Sequence, residues 1–228
     1  MPKTPTLRSS SKDVARFLKQ KKDITEYVSK QPRLLFAIDA TASRQPTWDT
    51  ASHLQAEMFS ATNLVASLRV QLCYYRGFHD FYASQWLSDS QRVAAEMASV
   101  ACEGGHTQIV RLLRHGLAEH AENRIRALVF IGDAIEESPD ALCDMAGQSG
   151  LLGLPLFLFQ EGNDPRVTQT FTQMAKLSHG AFARFDQSSA NRLASLLGAV
   201  ASYAVGGRKA LARDSSEGAK LLLKQLDS

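Results

Sequence analysis

The chain has little of what would tie it to an oxidising compartment, a membrane or a nucleic acid. Only three residues are cysteine, Cys73, Cys102 and Cys143. That odd count, with no C-x-x-C pair, excludes a disulfide framework and a thiolate metal centre. Cys73 and Cys143 fall in apolar runs, so buried free thiols are expected. No apolar stretch approaches the roughly 20 residues of a membrane span. The opening MPKTPTLRSSSKD has no apolar signal core, so a cytoplasmic location is expected and a membrane partner is not. Neither sign of charge dominates: 26 Lys and Arg against 23 Asp and Glu leave +3, too little for a nucleic-acid-binding face. The basic runs LKQKKD and GGRKALARD read as solvated helix faces. There is no internal repeat, no serine nucleophile elbow and no glycine-rich loop after the first strand-like run. What remains, 44% apolar and 21% charged residues, is enough to bury a full core without disulfide or metal staples.

Along the chain, short apolar runs alternate with amphipathic ones. RLLFAI, RVQLCYYR, RALVFIG, LPLFLFQ and AFARF are strand-like, and the most continuous of them suit central strands covered on both faces. Between and after them, TASHLQAEMFSATNLVASL, SDSQRVAAEMASV, TQIVRLLRHGLAEHAE, SPDALCDMAGQSG, DPRVTQTFTQMAKLS and SSANRLASLLGAVASYAV carry apolar residues at helical spacing. Ser88 is the expected cap of the second of these helices. About five alternations predict a doubly wound, Rossmann-like α/β domain with a mostly parallel sheet. We divide the chain into a tail and leading helix over 1–30, the α/β domain over 31–205, and a C-terminal helical extension over 206–228.

In open parallel sheets, ligands bind beyond the carboxyl ends of the strands, so the polar groups at those ends matter most. The first strand ends in Asp39, followed at alternate positions by Thr41 and Ser43. In an extended chain alternate side chains point the same way, which would bring three oxygens together. The loop CEGGHTQI adds Thr107, with Gly104 and Gly105 allowing a close backbone approach. The strand RALVFIG runs into Asp133, with Glu136 and Glu137 just beyond. Two aspartates and three hydroxyls suit a hard divalent cation, Mg²⁺ first and Mn²⁺ or Ca²⁺ after. Neutral hydroxyls leave the ion's charge incompletely offset, so it would attract an incoming carboxylate.

DATAS, GGHTQ and FIGDAIEE, in that order and spacing, resemble the three motifs of von Willebrand factor A (VWA) domains. The resemblance spans roughly Arg33 to Tyr203. It implies a Rossmann-like sheet flanked by helices and a metal-ion-dependent adhesion site (MIDAS) made by Asp39, Thr41, Ser43, Thr107 and Asp133. The wider arrangement is similar to bacterial cytoplasmic members of that superfamily. Two departures stand out. Thr41 replaces the usual first serine, keeping the hydroxyl on a stiffer side chain. AIEE replaces the frequent glycine-containing turn after Asp133, so Glu136 and Glu137 either tighten the metal site or sit at a helix start, where acids are favoured.

The function expected is a metal-dependent protein-interaction module whose partner offers an Asp or Glu. The resemblance implies ATPase or chaperone-like assemblies as the kind of partner. His106, Gly105, Glu136 and Phe78 are candidates for partner contact or for supporting the metal ligands. An enzyme is not expected. A Mg²⁺-dependent phosphatase-like hydrolase would need a second Asp where Thr41 stands. A third possibility is a structural or assembly domain whose metal site has degenerated. His115 and His120, five apart on one helix, are wrongly spaced for a shared metal and read as surface residues. Tyr82 and Trp86 read as packing residues, with a lesser role at a partner surface.

Overall fold

A computed structural model of the chain describes residues 31–44, 68–186 and 190–226. The chain divides into two compact units, Met1–Gln31 and Pro32–Ser228, and the second contains the sheet. The leading helix expected from Ser11 and the helix expected over 50–68, save its last residue Leu68, lie outside the described residues.

Six strands form one sheet: β1 (Arg33–Asp39), β2 (Arg69–Arg76), β3 (Asp80–Ala83), β4 (Ile125–Gly132), β5 (Leu156–Glu161) and β6 (Ala181–Phe185). Their order is β3-β2-β1-β4-β5-β6, parallel except for β3. This is the doubly wound Rossmann-like architecture expected from the alternation. The direction of winding reverses between β1 and β4, so the carboxyl ends of those two strands flank the switch-point crevice.

β1 is buried along nearly its whole length because each of its faces meets a different layer. Leu34, Phe36 and Ile38 join Ala127, Val129 and Ile131 of β4 in one core cluster, whereas Leu35 and Ala37 join Leu128 and Phe130 in the other. The first cluster is closed by helices α1 (Ser90–Ala98), α5 (Ala190–Leu211) and α6 (Glu217–Leu226) through Val93, Met97, Leu196, Val200 and Leu222. The second is closed by α2 (Ile109–Glu122), α3 (Pro139–Leu152) and α4 (Pro165–Leu177) through Leu112, Leu142, Met145, Phe171 and Met174. Truncating a fully buried aromatic such as Phe36 or Phe130 to alanine would cost about 3–5 kcal/mol.

Helix ends follow local chemistry. Asp164 caps α4 by accepting from the N–H groups of Arg166 (2.8 Å) and Val167 (3.1 Å), with Pro165 in the first turn. α3 ends on Gly153 in the left-handed conformation (φ 77°). α1 is capped by Asp89 and not by Ser88: Asp89 is extended and its carboxylate accepts from Gln91 N–H at 2.9 Å. The carboxylate one position later offers the same acceptor geometry with a full negative charge at the helix start.

Four further features depart from the sequence reading. Gly77 (φ 55°) turns the chain after β2, and the aromatic stretch beyond it forms the antiparallel edge strand β3. His120 is buried rather than at the surface. Its Nδ1 accepts from Ile125 N–H at 3.1 Å and its Nε2 lies 3.2 Å from Leu152 O, so one ring ties together the ends of α2, α3 and β4. His115 is half-buried, with Nε2 3.0 Å from Gln71 Oε1. Cys73 is buried as expected, and Cys143 is only partly so.

The C-terminal residues complete the sheet edge. α5 runs through position 206 and kinks at Gly207 (φ 64°). α6 then lies along β6, where the Gln225 carboxamide accepts from Phe182 N–H at 2.9 Å and donates to Phe182 O at 2.8 Å. That side chain occupies the place a neighbouring strand would take, which blunts an otherwise open edge.

Candidate functional site

Asp39 is the last residue of β1 and is fully buried. Its Oδ1 accepts from Thr41 N–H at 2.8 Å, and its Oδ2 accepts from Tyr75 Oη–H at 3.0 Å. Tyr75 is paired with Asp39 in the β1–β2 register. These two bonds help to fix the carboxylate in place. Thr41 Oγ1 and Ser43 Oγ stand 3.3 Å apart, within the turn that follows the strand. Thr41 is buried and Ser43 exposed.

Tyr75 was not singled out in the sequence, and it organises this corner. Burial pushes its phenol well above the ordinary tyrosine range, helped by the negative charges of Asp39, Glu137 and Asp133. It therefore stays a neutral donor amid three carboxylates, one ending β1 and two from the segment after β4. A tyrosine ending the neighbouring strand level with Asp39 was the available signal, but using it requires the β1–β2 register.

Thr107 belongs to a second cluster, clamped by the segment after β4. Its Oγ1 donates to Glu137 Oε2 and accepts from Glu136 N–H at 2.9 Å. Its backbone N–H donates to Glu136 Oε2 at 2.7 Å. The hydroxyl proton is thus directed at Glu137, and the oxygen keeps one lone pair. Glu137 also accepts from Val110 N–H at 3.1 Å. Glu136 and Glu137 therefore serve the amino end of α2, across the loop, and not the start of their own helix. α2 needs this because its N-cap, Gln108, makes no side-chain cap bond.

Gly105 is required sterically: a Cβ there would lie 1.8 Å from Gly77 O. Gly104 faces open space, so the close approach expected at both glycines occurs at only one. The Gly77–Gly105 contact, the His106 N–H to Gly77 O bond (3.2 Å) and the Thr41–Glu103 bridge join the two clusters. His106 is exposed, 3.0 Å from Glu136 Oε2 through Nδ1, with Phe78 edge-on to its ring at 5.1 Å. Phe78 is 63% exposed. Tyr82 is instead held by Glu96 (2.7 Å), and its phenol is pushed up to about 12 chiefly by that bond. Trp86 donates to Glu119 at 2.8 Å.

Asp133 follows β4, across the switch point from Asp39. A Cβ on the adjacent Gly132 would lie 3.7 Å from Asp39 Cβ. Asp133 Oδ1 is buried and has no hydrogen-bond donor. A buried carboxylate oxygen without a donor is costly unless a cation answers it. The donor set therefore fits a hard divalent ion. Among the described residues, no three His, Cys, Asp or Glu side chains are grouped to hold a metal. Two aspartates with three hydroxyls are a different kind of site, in which hydroxyls supply most of the ligands.

No family model and no curated protein matches the chain. Solved structures do. The SpRpn10 VWA domain is 11% identical, with 72% of this chain and 95% of that one covered and a TM-score of 0.54. An aerotolerance-related membrane protein from Bacteroides fragilis NCTC 9343, carrying multiple mutations to serine, is 17% identical over 72% and 98%, TM-score 0.53. Manganese-loaded TRAP protein from Plasmodium vivax is 15% identical over 71% of each chain, TM-score 0.54. At these identities the likeness shows the fold: the sheet and its flanking helices are VWA-like.

Proposed function

We propose that this chain, starting from its VWA-like fold, is a divalent-cation-dependent protein-binding module. Asp39, Thr41, Ser43, Thr107 and Asp133 would hold Mg²⁺, or Mn²⁺ or Ca²⁺ in its place, and an Asp or Glu of the partner would complete the site. Bound there, the ion supplies positive charge for an incoming carboxylate. The chain's own residues do the positioning. Tyr75 and Thr41 N–H orient Asp39, and Glu137 holds the Thr107 proton so that an oxygen lone pair remains free. Phe78, exposed beside His106, offers an apolar contact at the rim.

The observation that carries this reading is the buried, donor-less Oδ1 of Asp133 across the switch point from Asp39. A binding role is favoured over hydrolysis because Thr41, a neutral hydroxyl, stands where a phosphatase-like mechanism would need a second aspartate. Among the described residues no helix is long and apolar enough to cross a membrane. We place the module in the cytoplasm, working on protein assemblies of the ATPase or chaperone-like kind that the motif resemblance implies.

Thermal unfolding across a Mg²⁺ and Mn²⁺ titration, starting from chelated protein, tests this. A ligand that binds only the folded state adds about 2.7 kcal/mol at a hundredfold excess over Kd. Wild type should gain stability with metal concentration, and Asp133→Asn should not. In chelator the variant should be at least as stable as wild type, since Asp133 Oδ1 has no donor to lose. Equal metal response in the two proteins, or none in either, overturns the reading.

A further inference from the structure

At the other end of the same carboxyl edge, β5 and β6 open into a cavity of about 520 Å³ lined by Gly162, Asn163, Arg184, Phe185, Asp186 and Arg192. Gly162 (φ 78°) turns the chain after β5, and its N–H bonds Phe185 O at 3.0 Å, fixing one wall. Arg184 reaches the cavity from β6 and Arg192 from the first turn of α5. Both are exposed, and neither makes an ion pair or hydrogen bond with another described residue. Asp186, on the same wall, has an interaction partner of its own. Two guanidinium groups lining one cavity repel each other unless an anion lies between them. Their planar forks are shaped for carboxylate oxygens. The first turn of α5 adds the positive end of a helix to that field.

We propose that this cavity is a carboxylate-binding subsite for an acidic segment of the protein partner. The assignment of that partner rests on the metal-dependent binding reading above. β6 lies two strand spacings from β4, about 10 Å across the sheet. An extended peptide advances roughly 3.3 Å per residue, so a partner acid at the metal corner and another about three or four residues along would reach the two sites together. The subsite fixes which way the partner runs: from the β1–β4 crevice towards β6, over the carboxyl ends of the strands.

The test is NMR on the full chain, following the arginine Nε–H signals during titration with a hexaglutamate peptide. One series contains chelator and the other Mg²⁺, with inorganic phosphate titrated in parallel. Hexaglutamate should shift the Arg184 and Arg192 signals in both series, and Mg²⁺ should tighten its binding. The double variant Arg184→Ala/Arg192→Ala should weaken binding in chelator roughly tenfold or more. If Mg²⁺ fails to tighten hexaglutamate while the arginines still respond, the metal reading falls and the carboxylate subsite stands. The proposal is overturned if the arginine signals do not move, if the double variant binds hexaglutamate as wild type does, or if phosphate binds as tightly as the peptide.

Discussion

The carboxyl edge of this sheet has an acidic corner at β1 and β4 and a basic one at β5 and β6, built in opposite ways. In the acidic corner most polar atoms are already engaged. Tyr75 and Thr41 N–H hold Asp39, the two glutamates hold Thr107 and the start of α2, and one buried oxygen of Asp133 is left over. In the basic corner the backbone is fixed by the Gly162–Phe185 bond while both arginine heads remain unengaged by described residues. Preorganisation suits a small, strongly hydrated ion, which needs its ligands set before it gives up water. Open guanidinium forks suit a flexible peptide carboxylate, which can adjust to them.

If the corners differ in this way, breaking the scaffold of the acidic one should be costly. Gly105→Ala would put a Cβ 1.8 Å from a backbone oxygen that cannot rotate away. We expect destabilisation on the order of 3 kcal/mol, seen as a lower urea midpoint, together with loss of the metal response. Glu137→Ala removes the acceptor for Val110 N–H and for the Thr107 hydroxyl. It should cost about 1–2 kcal/mol, with Glu137→Gln recovering part because its amide oxygen still accepts. The contrast sharpens in the basic corner, where Arg184→Ala/Arg192→Ala should change stability by no more than about 0.5 kcal/mol while losing hexaglutamate. A large stability loss there would mean that the arginines are structural.

The smallest effect lies away from both corners. Burial holds the His115 imidazole below the ordinary histidine range. As pH falls, the unfolded chain takes that proton first. The stabilising contribution is therefore complete above about pH 6.5 and is lost as pH drops through that value towards the lower folded pKa. His115→Gln should flatten that part of the stability–pH curve, measured by chemical denaturation between pH 5 and pH 8 in steps of about half a unit.

Much of the fold was legible because periodicity reports burial directly. After their leading arginines, the runs RLLFAI and RALVFIG are apolar at every position because both of their faces are covered, and the helices carry their apolar stripes towards the clusters those strands form. β3 was not legible: four residues, only partly buried, carry no clear alternation, and the strand exists by pairing with β2 around Gly77. His120 looked like a surface residue because its two partners, Ile125 N–H and Leu152 O, come from beyond its own helix. For the candidate site, Asp39, Thr41, Ser43, Thr107 and Asp133 could be named from motif order and strand ends. Tyr75 and the true duty of Glu136 and Glu137 could not.

The sequence by itself determined the alternation of strands and helices, the segments that end at one edge of the sheet, and the oxygen-rich residues at those ends. These are properties of short windows, where side-chain spacing and local turn chemistry suffice. Only the tertiary structure decided that Tyr75 stands level with Asp39, that the glutamates after β4 serve the amino end of α2, and that Arg184 and Arg192 line one cavity. Tyr75 lies 36 residues from Asp39 and Glu136 lies 29 from Thr107. A hydrogen bond acts over about 3 Å, so such neighbours are defined only once strand order and register have brought the segments side by side.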